Sequence, residues 1–224
     1  MSLPSCAEQR KQRPVWEQAI LAIRRRGSAK GRASWCFFQA TEHAGERHKP
    51  SVPSSEALQS GSTSLLVTAH NPMANDLGVE LSEAENARRN IELLSKLRAI
   101  TVPHRIRPAF AMDADDSSAY AEHGLLVCCE QTDGPQAKAE CHACARQLGQ
   151  AALYVIECSK NSAWEAAMRV EHCFDGLEEL SSERTLRMSE ISEPPMAHKH
   201  IAQAEHGSER ELLLHLRPRD TTSS

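Results

Sequence analysis

Aromatic residues are nearly missing: three Trp, two Tyr and four Phe make up 4 % of the 224 residues. A core built without them draws its volume from Leu, Ile, Val, Ala and Cys. The apolar content of 40 % suffices for one modest core and not for packing along the whole length. No apolar run approaches the ~20 residues that a membrane-spanning helix needs. No apolar stretch follows the first charges as it would in a secretory signal. No phosphate-binding glycine loop, dinucleotide fingerprint, nucleophile elbow or kinase signature occurs. The formal net charge of −4 argues against a dedicated nucleic-acid binder.

What is present begins with an uneven charge distribution. Residues 1–32 carry eight Lys or Arg against two Glu, whereas residues 66–157 carry thirteen acidic against eight basic residues. A basic arm therefore precedes an acidic domain. A solvated arm is the simple reading, and an anion-seeking tail the sharper one. Residues 1–34 are also Arg-rich and acid-poor, like an organellar targeting segment, except for Glu8 and Glu17. The eight cysteines (Cys6, Cys36, Cys128, Cys129, Cys141, Cys144, Cys158 and Cys173) lack the short secreted context of a disulfide scaffold. Reduced, buried thiols and a cytoplasmic location follow, with organellar targeting as the alternative.

Periodicity gives the elements. Pro14, Val15, Ala19, Ala22 and Ile23 recur at helical spacing, and Arg24 to Arg26 before Gly27 suit a last helical turn, so a helix is expected over 14–26. Residues 34–40 read as a short strand. Leu65 to Thr68 form a buried strand that Asn71-Pro72 terminates. Ser82-Glu83-Ala84-Glu85 is a capping box for a helix reaching Arg98, with Ala84, Ala87, Ile91, Leu94 and Leu97 as its expected apolar stripe. Pro103 and Pro108 mark 100–112 as an edge strand. Gly124 to Glu130 reads as a central strand. Residues 136–148 read as a second helix capped by Gly149, and Ala151 to Glu157 as a further strand. Residues 162–190 read as one or two helices, and 191–224 as a largely disordered tail.

The expected fold class is therefore α/β: an α+β two-layer sandwich with a β-α-β-β-α-β core of ferredoxin-like topology. The expected divisions are a basic helical arm at 1–32, a strand and loop at 33–61, the core at 62–158, a helical extension at 159–190 and the tail.

The runs Leu65-Leu66-Val67-Thr68-Ala69-His70-Asn71-Pro72 and Leu81-Ser82-Glu83-Ala84-Glu85-Asn86-Ala87-Arg88-Arg89-Asn90 resemble the bacterial family called domain of unknown function 3293. There an Asn-Pro pair ends a strand and a Leu-Ser-x-x-Glu-Asn-x-x-Arg-Asn pattern opens a helix. Ala145 to Ala152 is similar to the family's second signature, a Gly-Gln step, here Gly149-Gln150. The resemblance covers about 62–158. Two departures are His70, where the family often has an aromatic residue, and Asp113-Ala114-Asp115-Asp116, where it carries a Gly/Trp/Pro-rich segment. The resemblance implies the fold and brings no activity.

Asn86, Arg89 and Asn90 lie at i, i+3 and i+4 and share a helix face. Two poor helix formers on one face imply a polar task, either fixing the fold or binding a small anion through Arg89. Together with Asn71 and Gln150 they are the candidate ligand-binding residues. His70, at a strand end, is a lone acid or base without an assigned partner. Asp113, Asp115 and Asp116, with Glu122 and His123, read as a solvated acidic loop ahead of a cation site. Cys141-His142-x-Cys144 lacks a second pair of zinc ligands, and His198, His200 and His206 form only a metal-prone tract. No cofactor and no catalytic residue is assigned. Two functions follow: an interaction or regulatory module of unknown partner, or a small-molecule or anion-binding domain, with or without enzymatic activity, sited near Asn71, Asn86, Arg89, Asn90 and Gln150.

Overall fold

Alternation with period two runs through more of this chain than its apolar blocks suggest. In the computed structural model the described residues are 19–24, 35–41, 58–69, 81–112, 114, 121–150, 152–160, 166–173, 186–191 and 193. They form β1 (Ile20–Arg24), β2 (Trp35–Thr41), β3 (Ser62–Thr68), α1 (Glu83–Arg98), β4 (His104–Met112), β5 (Ala121–Glu130), α2 (Gly134–Gln147), β6 (Ala152–Cys158), β7 (Ala166–His172) and β8 (Leu186–Ile191). The strands close into a barrel in the order β1-β2-β8-β7-β6-β3-β5-β4, with β4 pairing back to β1. Every neighbouring pair is antiparallel.

This overturns the expected α+β sandwich. The order β3-α1-β4-β5-α2-β6 does have the anticipated β-α-β-β-α-β sequence, but its strands are not a free-standing sheet. Strands β1, β2, β8 and β7 join both of its sides and close the surface. Two of the anticipated helices are strands instead. Residues Ile20–Arg24 pair with β2 and β4, and the 162–190 segment supplies β7 and contributes to β8. Ala, Met, Leu, Glu and Arg are good helix formers, which draws these stretches towards a helical reading. Pairing on both sides overrides so weak a preference. The alternation buried–intermediate through Ala166-Ala167-Met168-Arg169-Val170-Glu171-His172 is that of a strand with one face inward.

Strand β4 is likewise no edge. It pairs with β5 along its whole length and with β1 from Ala109 to Met112. Pro108, which has no N–H to donate, is accommodated just where the β1 ladder stops at Ile23↔Ala109.

Of three buried clusters on the sheet, the smallest gathers Ile20, Ala22, Trp35, Phe37 and Met112. Leu21, Ile23, Phe38, Leu66, Leu126, Ile156, Met168 and Met188 pack inside the barrel. On the outside of β3, β5 and β6, residues Leu65, Val67, Leu125, Val127, Leu153 and Val155 pack against Leu93, Leu97, Ala137, Cys141 and Leu148 of the helical flank. Strand β3 is thus covered on both faces and buried throughout. That double burial is why its sequence reads as a continuous apolar run.

Candidate functional site

Helix α1 begins as its sequence directs. The Ser82 hydroxyl accepts from the Glu85 N–H at 3.2 Å. The return arm of the capping box does not form, because the Glu85 carboxylate accepts from Arg88 Nε and Nη2 at 2.9 and 2.6 Å. That bond, reinforced by the Arg88 charge, holds the Glu85 carboxyl below its ordinary pKa.

The buried stripe of α1 is rotated from the expected one. Ala84 is exposed, Ala87 and Ile91 are half-buried, and the face against the sheet is Asn86, Asn90, Leu93, Leu94 and Leu97. The two asparagines therefore continue the leucine face beyond the end of the apolar contact. Asn86 is 5 % exposed and Asn90 3 %. Asn86 Nδ2 donates to the Leu81 carbonyl at 3.4 Å. Among the described residues, Asn90 Oδ1 is buried without a hydrogen-bond partner.

Arg89, one position before Asn90, joins three elements. Its Nε–H donates to the Ala69 carbonyl at 2.9 Å, immediately beyond the end of β3. Its Nη2 donates to the carbonyl of Leu148, the C-cap of α2. A guanidinium at the carbonyl end of a helix also meets that end's partial negative charge. Burial lowers the Arg89 pKa from its ordinary value, against the opposing pull of Glu85 and Glu92.

The same turn carries Gln150. Gly149 has φ +70°, a left-handed conformation that suits glycine and closes α2. The Gln150 N–H donates to the Ala145 carbonyl at 2.9 Å, and Gln150 Oε1 accepts from Thr68 Oγ1 at 3.0 Å. Thr68 is the last residue of β3 and pairs with Gly124 of β5. It was not singled out from the sequence, where it reads as the polar end of the Leu65-Leu66-Val67 run.

Arg89 and Gln150 are thus brought together at the barrel rim by the end of β3, with Asn86 and Asn90 on the adjoining face of α1. Asn71 and His70 lie outside the described residues, as do Asp113, Asp115, Asp116, His198, His200 and His206. Glu122 and His123 are neighbours on β5 and point to opposite faces of the sheet. His123 stacks on Phe110 with ring centroids 4.7 Å apart. The motif Cys141-His142-x-Cys144 divides: both cysteines are buried under α2, while His142 meets Glu171 of β7 at 3.3 Å. Burial pushes the thiol pKa of Cys141 upward, and no cluster of three or more His, Cys, Asp or Glu suited to a metal occurs among the described residues. Among them, no helix is long and apolar enough to cross a membrane.

In class, the described residues form a closed antiparallel barrel flanked by two helices, with a polar junction at one rim. Residues 67–153 match the family described as Protein of unknown function (DUF3293), and the resemblance read from the residues is shown over that segment. The match runs from within β3 to the start of β6 and contains the whole junction. No curated protein and no solved structure matches the chain.

Proposed function

We propose that the barrel rim is a binding site for a small polar molecule, seated where the end of β3, the asparagine face of α1 and the turn after α2 meet. Small-molecule sites favour the mouths of barrels and need few, well-placed polar groups. The observation that carries the reading is Asn90, whose amide oxygen is buried with no partner among the described residues, beside a junction where Arg89 and Gln150 bond to Ala69, Leu148, Ala145 and Thr68. A buried acceptor left unmade costs about 1–3 kcal/mol. A fold-fixing role explains Arg89 and Gln150 and leaves Asn90 unexplained.

The test is a two-dimensional NMR titration of the full chain, with isotope-labelled backbone and side-chain amides. The compounds are nucleotides, phosphate, small carboxylic acids, amino acids, small amines and divalent metals. A saturable shift of Thr68, Arg89, Asn90 and Gln150 resonances is the expected result. If no compound moves that group, the rim is not a small-molecule site. A second reading, an interaction module for a protein partner, is favoured by the commitment of Arg89 and Gln150 to the chain's own groups. It is the reading that survives a negative titration.

A further inference from the structure

We infer that the rim takes a hydrogen-bond donor, the ammonium or amide N–H of a small molecule, and not an anion; this rests on the small-molecule reading above. At the rim, the buried group without a partner among the described residues is an acceptor, Asn90 Oδ1. The basic side chain at the junction, Arg89, has its Nε–H and an Nη2–H turned to the Ala69 and Leu148 carbonyls, so the Nε/Nη2 edge of its fork is not presented to a carboxylate or phosphate. The amino end of α1 is partly closed to an anion. Its Glu85 N–H donates to the Ser82 hydroxyl and its Asn86 N–H to the Ser82 carbonyl. Glu85 adds a negative charge in that first turn.

The inference is tested on the full chain with four probes, read by NMR titration and thermal unfolding. Methylammonium and acetamide offer N–H donors, whereas acetate and sulfate offer acceptors alone. Saturable shifts at Thr68, Asn90 and Gln150 are expected with the two donors and not with the acceptors. Asn90→Leu has a similar volume and no polar atoms. It is expected to melt above the wild type, because a buried unmade acceptor is removed, and to bind both donors at least tenfold more weakly. Asn90→Asp keeps the acceptor and removes the amide donor, so methylammonium binding persists in it. A wild-type chain that saturates with acetate or sulfate and not with methylammonium overturns the donor assignment while leaving the small-molecule site standing. So does an Asn90→Leu chain that binds the donors as the wild type does. If none of the four probes, nor any compound of the broader titration, saturates the wild type, both readings fall together.

Discussion

Arg89 shows how one residue type can serve a fold and look like a ligand clamp. On a helix face between two asparagines it suggests recognition of a carboxylate, and the structure turns it to two backbone carbonyls at the ends of different elements. Truncation leaves both carbonyls short of a charged donor. Arg89→Ala is expected to lose about 3 kcal/mol of unfolding free energy in urea titrations. Arg89→Lys should recover less than half of it, since an ammonium cannot bridge two acceptors as a planar fork does. A loss below ~1 kcal/mol would show that the two bonds do not persist in solution. Gly124 is a second test at this scale. A Cβ there would lie 2.8 Å from the Val67 carbonyl and 2.9 Å from Leu66 Cδ1, inside a closed barrel with little room to give. Gly124→Ala should cost roughly 1–3 kcal/mol through overpacking, read from the same titrations. The sequence showed Arg89, Asn86, Asn90 and Gln150 as residues needing a reason. It did not show their partners, because those are carbonyls of Ala69 and Leu148, and a backbone group leaves no mark in composition.

Among elements, the two described helices and strand β2 were legible and strands β1, β7 and β8 were not. Ser82, Gly149 and the spacing of Ala137, Cys141, Cys144 and Leu148 are local signals, and the structure uses each of them. Strands β1 and β7 are held by pairing on both sides, to β2 and β4 and to β6 and β8, so their short alternations of helix-forming residues decide nothing by themselves. Helix α2 is tied to β7 by one carboxylate. Glu171 accepts from Lys138 Nζ at 3.2 Å and from His142 Nε2 at 3.3 Å, and Arg169 lies 3.4 Å away. Burial alone would raise the Glu171 pKa. The His142 hydrogen bond and the Lys138 and Arg169 charges outweigh it, and the pKa is lowered from 4.5. A carboxyl with a lowered folded pKa contributes stability that is complete above its unfolded value and is lost as the pH falls through the folded one. Glu171→Gln is therefore expected to cost roughly 1 kcal/mol at neutral pH. The difference from the wild type should close as the pH is taken below 4.5. Urea titrations from pH 7 to pH 3 check it, and a difference that widens in acid would refute the ion-paired arrangement.

At the scale of the whole molecule, closure governs what is accessible and what can fold. Burial raises the pKa of Cys129 and Cys158 to about 11 and of Cys173 to about 12. These thiols sit in the two packed layers and should resist iodoacetamide at pH 8 until urea opens the barrel, as mass spectrometry of labelled peptides would show. Closure also separates the segment that carries the family signatures from the structure that completes it. The sheet of residues 62–158 ends at β4 on one side and β6 on the other, and in the full chain these pair with β1 and β7. Cut out alone, the segment exposes the inward faces of Leu66, Leu126 and Ile156, along with two rows of unpaired N–H and C=O groups. The apolar groups that cover those faces, Leu21, Ile23, Phe38, Met168 and Met188, all lie outside it. An isolated 62–158 fragment is therefore expected to associate on size-exclusion chromatography and to lack a cooperative thermal transition, whereas the full chain melts in a single step. A monomeric fragment with its own sharp transition would show that the half-sheet and its two helices are a self-sufficient unit, with the remaining strands docked onto it.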